Sequence, residues 1–170
     1  MSAEHQRILL VGLLATALLA ACGFRLQGSE RWPQGWDSYS LDYPSRDTAM
    51  QDFVDILDEA LRRRGLQPAG TPDFRIRLSQ LIDHKSVAAI GTDGKAVEFE
   101  LTRELRFQIK GRGWMTPVVS VSASRRLSFD PAVVLAKEAE EERLLEGLSR
   151  DLAQMLLLRA QTELGVRAPG

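Results

Sequence analysis

The sequence predicts an α+β fold: a two-layer sandwich with two helices packed on one face of a four-stranded mixed sheet. Three observations carry this. Four segments alternate apolar and polar residues, as half-buried strands do. Two segments repeat apolar residues at i, i+3, i+4 and i+7, as amphipathic helices do. Their order is strand, helix, strand, strand, strand, helix, so helices on one sheet face hide every apolar stripe. The helical crossover after the first strand lets it lie parallel to a neighbour, hence a mixed sheet.

The chain opens differently. Arg7 precedes an apolar run, Ile8 to Ala21, interrupted only by Gly12 and Thr16. A charge, a short apolar run and small residues make a secretory signal. A spanning helix needs roughly 20 apolar residues, more than this run supplies, and Arg25, Gln27 and Glu30 follow at once. The run ends in Leu19-Ala20-Ala21-Cys22, with the only cysteine of the chain. That tetrapeptide resembles a bacterial lipobox. The resemblance implies a diacylglycerol on the Cys22 thiol, cleavage before it, and an acyl chain such as palmitate on the new amine. Several chains on one residue give a stable anchor where one does not. Gly23, standing where an Asp would retain the protein at the inner membrane, favours the outer membrane, reached from the periplasmic side.

The expected organisation is a signal peptide at 1–21, a lipidated tether at 22–37, one α+β domain at 38–165 and a flexible tail at 166–170. Trp32 and Trp36 are the apolar points of the tether, read as packing at the domain edge or as membrane contacts. Tyr39-Ser40-Leu41-Asp42-Tyr43 alternates and stops at Pro44, the first strand. Met50, Phe53, Val54, Leu57, Ala60 and Leu61 share one helix face. Ser45 or Asp47 caps its start, Arg62-Arg63-Arg64 suits the negative end of the dipole, and Gly65 stops it. The arginine run reads as a solvated helix end or an anion site.

Phe74, Ile76 and Leu78 alternate with polar residues in a second strand reaching about Ile82. Val87 to Lys95 is a connection whose Asp93-Gly94 pair signals a hairpin turn. The third strand is the clearest. Val97, Phe99, Leu101, Leu105, Phe107 and Ile109 hold the odd positions, and only Arg103 breaks the series. Gly111-Arg112-Gly113 closes a second hairpin. Val119, Val121, Ala123 and Leu127 alternate with serines and Arg126 in the fourth strand; by parity Arg125 falls on the core side or at a fraying end. Asp130-Pro131 ends it. From about Glu138 a long helix is expected, with Leu145, Leu148, Leu152, Met155 and Leu156 on its apolar stripe and glutamates in its first turn. Glu146 and Arg150 are spaced to pair. Gly147 suggests close packing, and the helix fades near Leu164-Gly165.

The formal net charge is −1, so no global field draws in nucleic acid. Beyond Cys22 the only histidine is His84, which excludes Cys/His metal sets. A Ser-His-Asp triad would need His84, and no Gly-x-Ser-x-Gly elbow accompanies it. No phosphate-binding glycine pattern occurs. The sequence speaks against an enzyme and names no cofactor beyond the lipid on Cys22.

Two stretches resemble one family. Cys22-Gly23-Phe24-Arg25-Leu26-Gln27-Gly28 is similar to the mature start of LptE lipoproteins. Arg125-Arg126-Leu127-Ser128-Phe129-Asp130, with Leu135-Ala136-Lys137-Glu138 after it, resembles that family's second signature. The resemblance implies a lipid-anchored plug for the LptD β-barrel, supporting barrel assembly, binding lipopolysaccharide and helping insert it into the outer leaflet. It implies Lys137 as a lipopolysaccharide contact; without it, Lys137 reads as a solvated charge. The family's second basic residue lies between the second and third strands. Ile90-Gly91-Thr92-Asp93-Gly94-Lys95 offers no arginine there, only Lys95. Arg125 and Arg126 are further candidates. A polar sheet face fits a polar barrel lumen. The competing readings are a structural lipoprotein accessory to β-barrel assembly and a periplasmic hydrolase using His84.

Overall fold

The computed structural model describes residues 32–128 and 134–167. In chain order they form β1 (Ser38–Asp42), α1 (Thr48–Arg62), β2 (Gln67–Pro68), β3 (Phe74–Ile90), β4 (Ala96–Gly111), β5 (Trp114–Met115), β6 (Val119–Ser128) and α2 (Val134–Val166). Strands β2-β1-β3-β4-β5 lie side by side, and β6 also pairs with β4. β1 runs parallel to β2 and β3, and the other pairs are antiparallel. The sheet is mixed, as expected, but has six strands and not four.

The two extra strands have two residues each, too few for alternation to show in sequence. β2 follows from the end of α1. Gly65 takes φ 84°, a conformation glycine adopts at no steric cost. The returning chain lets Gln67 N–H donate to Asp37 O at 3.0 Å and Ala69 N–H to Tyr39 O at 2.9 Å. β5 and β6 share one edge of β4, with a register slip between Lys110↔Met115 and Phe107↔Val119. Thr116 spans the slip: its N–H donates to Ile109 O at 2.9 Å, and Ile109 N–H donates to its Oγ1 at 3.0 Å. Pro117, lacking an N–H, cannot continue the ladder.

β3 runs eight residues past its expected end at Ile82, to Ile90, and the β3–β4 turn narrows to residues 91–95. Gly91 N–H donates to Lys95 O at 2.8 Å, and Gly94 sits at φ 77°. A bulge lies between Leu78 and Gln80, so parity inverts there. Beyond it Leu81, Asp83 and Lys85 share a face with their partners Leu105, Arg103 and Leu101, and Ile82 does not.

Both helices fill the layer on that face. Asp47, not Ser45, caps α1, its Oδ1 accepting from Met50 N–H at 3.1 Å. Met50, Phe53, Val54, Leu57 and Leu61 are buried, and Arg64 Nη1 donates to Ala60 O at 3.1 Å. The arginine run therefore serves the helix end. α2 begins at Val134, a turn earlier than expected, which moves the glutamates out of its first turn. Leu148, Leu152 and Leu156 are buried as expected, joined by Ala153, Leu157, Ala160 and Leu164; Met155 is exposed. The contact stripe turns toward 149, 153, 157 and 160, one step around the helix from Met155. Glu146 and Arg150 pair as expected. A Cβ on Gly147 would meet nothing within 4 Å, so that glycine does not mark close packing.

One core cluster takes residues from both helices and from β1, β3 and β4. Trp36 is buried in it and packs edge-on to Phe74 and Trp114; Trp32 stacks on Phe74 at 5.6 Å. A smaller cluster of Leu101, Leu127 and Leu148 lies farther along β4.

Candidate functional site

The β3–β4 hairpin, the last residues of β6 and the start of α2 meet at one end of the sheet. The register pairs Glu98 with Ser128 and Glu100 with Arg126, so the end of β6 lies beside the start of β4. Lys137, in the first turn of α2, returns the helix to that strand end: its Nζ lies 3.5 Å from Ser128 Oγ.

The expected site residues distribute as follows. Lys137 is largely covered, with 17% of its side chain exposed, and its Nζ donates to Glu140 Oε2 at 2.7 Å. Arg126 projects into solvent from the opposite sheet face, 3.7 Å from Glu98. Arg125 lies on the helix side, as parity gives, and pairs with Asp151 of α2. Lys95 sits at the hairpin tip, 78% exposed and 3.9 Å from Asp93. The fold brings Lys95, Arg126 and Lys137 to one end of the domain. It puts them on different faces of that end and gives each a carboxylate neighbour. A phosphate binding there exchanges these partners for its own oxygens, so charge-assisted hydrogen bonds are remade and not created from nothing. Cys22 lies outside the described residues, as do Phe129 and Asp130 of the second signature.

The same end exposes apolar side chains. Val87, Ile90 and Val97 are exposed, Ile90 to 68%. Lys85 Nζ stands 5.0 Å over the Phe99 ring and pairs with Glu141 of α2 at 2.5 Å. Cations interleaved with exposed aliphatic groups suit an amphiphile, with anionic groups on the cations and hydrocarbon on the aliphatics.

Sequence reasoning noted Arg103 as a break in the pattern but gave it no role. Its side chain is almost wholly buried. Nε and Nη2 donate to the two Asp83 oxygens at 2.6 and 2.7 Å, and Nη1 donates to Ser149 Oγ at 2.5 Å and Leu145 O at 3.2 Å. A lone charge at an inward position was the legible signal; Asp83 was hidden by the β3 bulge.

His84 stands on the outer sheet face, in register with Thr102 and, across β4, with Ser124, and it is the weakest of the neighbours that favour the charged form of Glu104. Ser120 and Arg106 do more of this, donating to Glu104 at 2.7 and 2.9 Å and holding its carboxyl below the usual range. Among the described residues no group of three or more His, Cys, Asp or Glu could hold a metal ion, and no helix is long and apolar enough to cross a membrane.

Known proteins share both sequence and fold. A family model described as LptE, lipopolysaccharide-assembly, matches residues 37–160. The LPS-assembly lipoprotein LptE of Pectobacterium atrosepticum is 26% identical over 168 residues, covering 94% of this chain and 87% of that relative. The protein of the same name from Yersinia pestis is 28% identical, with 94% and 77% covered. The rare lipoprotein B of Shewanella oneidensis superposes with a TM-score of 0.67 at 21% identity, covering 76% of this chain and 98% of that structure. A lipoprotein B of Nitrosomonas europaea gives 0.64 at 22%, covering 85% and 96%. These two structures share the mixed sheet and its helical layer. With the family model spanning most of the folded domain, the chain belongs to the LptE family of lipopolysaccharide-assembly lipoproteins.

Proposed function

We propose that this protein is the lipid-anchored plug of an LptD-like outer-membrane β-barrel, and that the hairpin end of its sheet binds lipopolysaccharide during insertion into the outer leaflet. Acyl chains on Cys22 hold it at the outer membrane from the periplasmic side. The role is binding and support, without covalent chemistry.

The observation that carries this reading is that Lys95, Arg126 and Lys137, on different faces, lie at the same end of the sheet as exposed Val87, Ile90 and Val97. Lipopolysaccharide offers phosphates and acyl chains to match. The outer sheet face adds support. Its Thr102–Ser124 and Ser120–Glu104 contacts, at 2.9 and 2.7 Å, present hydroxyls and charges suited to a polar lumen.

A detergent pull-down with the full-length lipidated chain as bait tests the partnership. Recovery of a β-barrel of the LptD kind, with depletion causing specific loss of surface lipopolysaccharide, is the expected result. No recovered barrel contradicts the reading; loss of outer-membrane proteins broadly points instead to an accessory of general barrel assembly.

A further inference from the structure

The Arg103 cluster divides the interior of the domain. On β4, Arg103 stands between Leu105, part of the main core, and Leu101, part of the small distal cluster. On α2, Ser149 stands between Leu152 of the main core and Leu148 of the distal one. On β3, Asp83 separates Leu81, which packs against the main core, from Lys85. A polar layer thus crosses the fold from sheet to helix, and Arg125–Asp151 extends it along the β6 side.

The two halves are held by different means. On one side lie the many fully buried side chains of the main core. On the other, Leu101, Leu127 and Leu148 are the fully buried apolar residues of the distal cluster. The other ties between sheet and helix there include the partly buried Leu144 and Leu145 packed on that cluster and the polar contacts Lys137–Ser128, Lys85–Glu141 and Arg125–Asp151, which are partly exposed and so weakened by water and salt. Arg103 is the buried tie, with 9% of its side chain exposed. Its planar fork grips Asp83 in two parallel hydrogen bonds while Nη1 reaches Leu145 O and Ser149 Oγ. A fork of fixed geometry sets both the spacing and the angle of the helix relative to the sheet, which a lysine would not.

We propose that Arg103 is a positioning residue that pins the first half of α2 to the sheet and thereby sets where Lys137 stands relative to the hairpin end. Without it, the segment of α2 before Ser149 opens as one cooperative unit while the main core stays closed. Such sub-global opening follows where buried apolar contacts are few. The link to lipopolysaccharide rests on the function proposed above; the pinning itself does not.

Hydrogen exchange on the full-length lipidated chain in detergent tests this, comparing wild type with Arg103→Met, which keeps length and removes the fork. The expected result is exchange about tenfold or more faster in amides of residues 138–147, with those of Leu152–Leu164 and Phe74–Leu78 unchanged. A role in global stability alone would speed all of these alike, and that uniform outcome overturns the proposal, as does no change. Ser149→Ala, which removes one of the two helix contacts, is a milder second variant with the same local signature expected; it serves if Arg103→Met does not fold. Lipopolysaccharide titration of the same samples separates the two claims. If wild type does not bind, the proposed function fails, while the exchange pattern still decides the pinning.

Discussion

Arg103 faces Asp83 across neighbouring strands and donates two parallel hydrogen bonds to its carboxylate, at 2.6 and 2.7 Å, on the helix-covered side of the sheet. A guanidinium out of water needs a matched carboxylate and bonded donors; Asp83 is the carboxylate, and Asp83, Ser149 and Leu145 take four of the five N–H donors. Asp83→Ala leaves the fork buried against Ser149 and Leu145 without its counter-charge. The expected loss is local, because Asp83 itself keeps 40% of its side chain exposed: amides of residues 138–147 exchange about tenfold faster while the main core stays closed.

Gly111 is required by the indole of Trp114. A Cβ on residue 111 would stand 2.3 Å from Trp114 Cε2, inside van der Waals contact. Trp114 is in turn held between Trp36, at 6.0 Å, and Arg167, whose guanidinium sits 4.6 Å over the ring, so the ring has little freedom to give way. Gly111→Ala is expected to cost about 2 kcal/mol by overpacking and to change the near-ultraviolet circular dichroism of the tryptophans.

Gly147 is the opposite case. It lies inside α2, and a methyl there meets nothing within 4 Å. Gly147→Ala therefore gains helix propensity without a clash, stabilising by about 0.5–1 kcal/mol and raising the thermal midpoint.

Asp73 ties β3 to the start of β1. Ser38 Oγ donates to its Oδ2 at 2.6 Å, the Ser38 and Asp37 N–H groups add bonds at 3.0 and 3.2 Å, and Arg112 lies 2.9 Å from Oδ1. Led by the Ser38 hydroxyl, these hold its carboxyl below the usual carboxylate range. The unfolded chain then binds the proton more tightly, so this contribution is present above the unfolded value, about 3.9, and is lost as pH falls below it through the folded value. Denaturation between pH 2 and 6 is expected to show a shallower acid limb in Asp73→Asn than in wild type.

These residues also mark how far the sequence could be read. The period-two pattern of Leu101 to Ile109 and the helical spacing of Met50 to Leu61 survive because each segment buries one face, while Val97, in the same pattern, stays exposed. Gly65 and Asp93-Gly94 were legible as turns because a positive φ selects glycine. β2 and β5 were not, since pairing of two residues is settled by where the chain returns and not by side-chain pattern. The bulge beside Ser79 hid the end of β3, because one extra residue inverts every later side chain. Arg103 was visible only as an exception, and its partners Asp83 and Ser149 lie 20 and 46 positions away. Lys137 came from the family resemblance; geometry adds its proximity to Ser128 and its pairing with Glu140.

The proposed binding of lipopolysaccharide at the hairpin end turns on Lys137. The most direct measurement is a titration of full-length lipidated protein with lipopolysaccharide, comparing wild type with Lys137→Glu. Circular dichroism and melting serve as fold controls. The expected result is a retained fold with affinity lower by about tenfold or more, the scale of one charge-assisted contact. Equal affinity with an intact fold would contradict it.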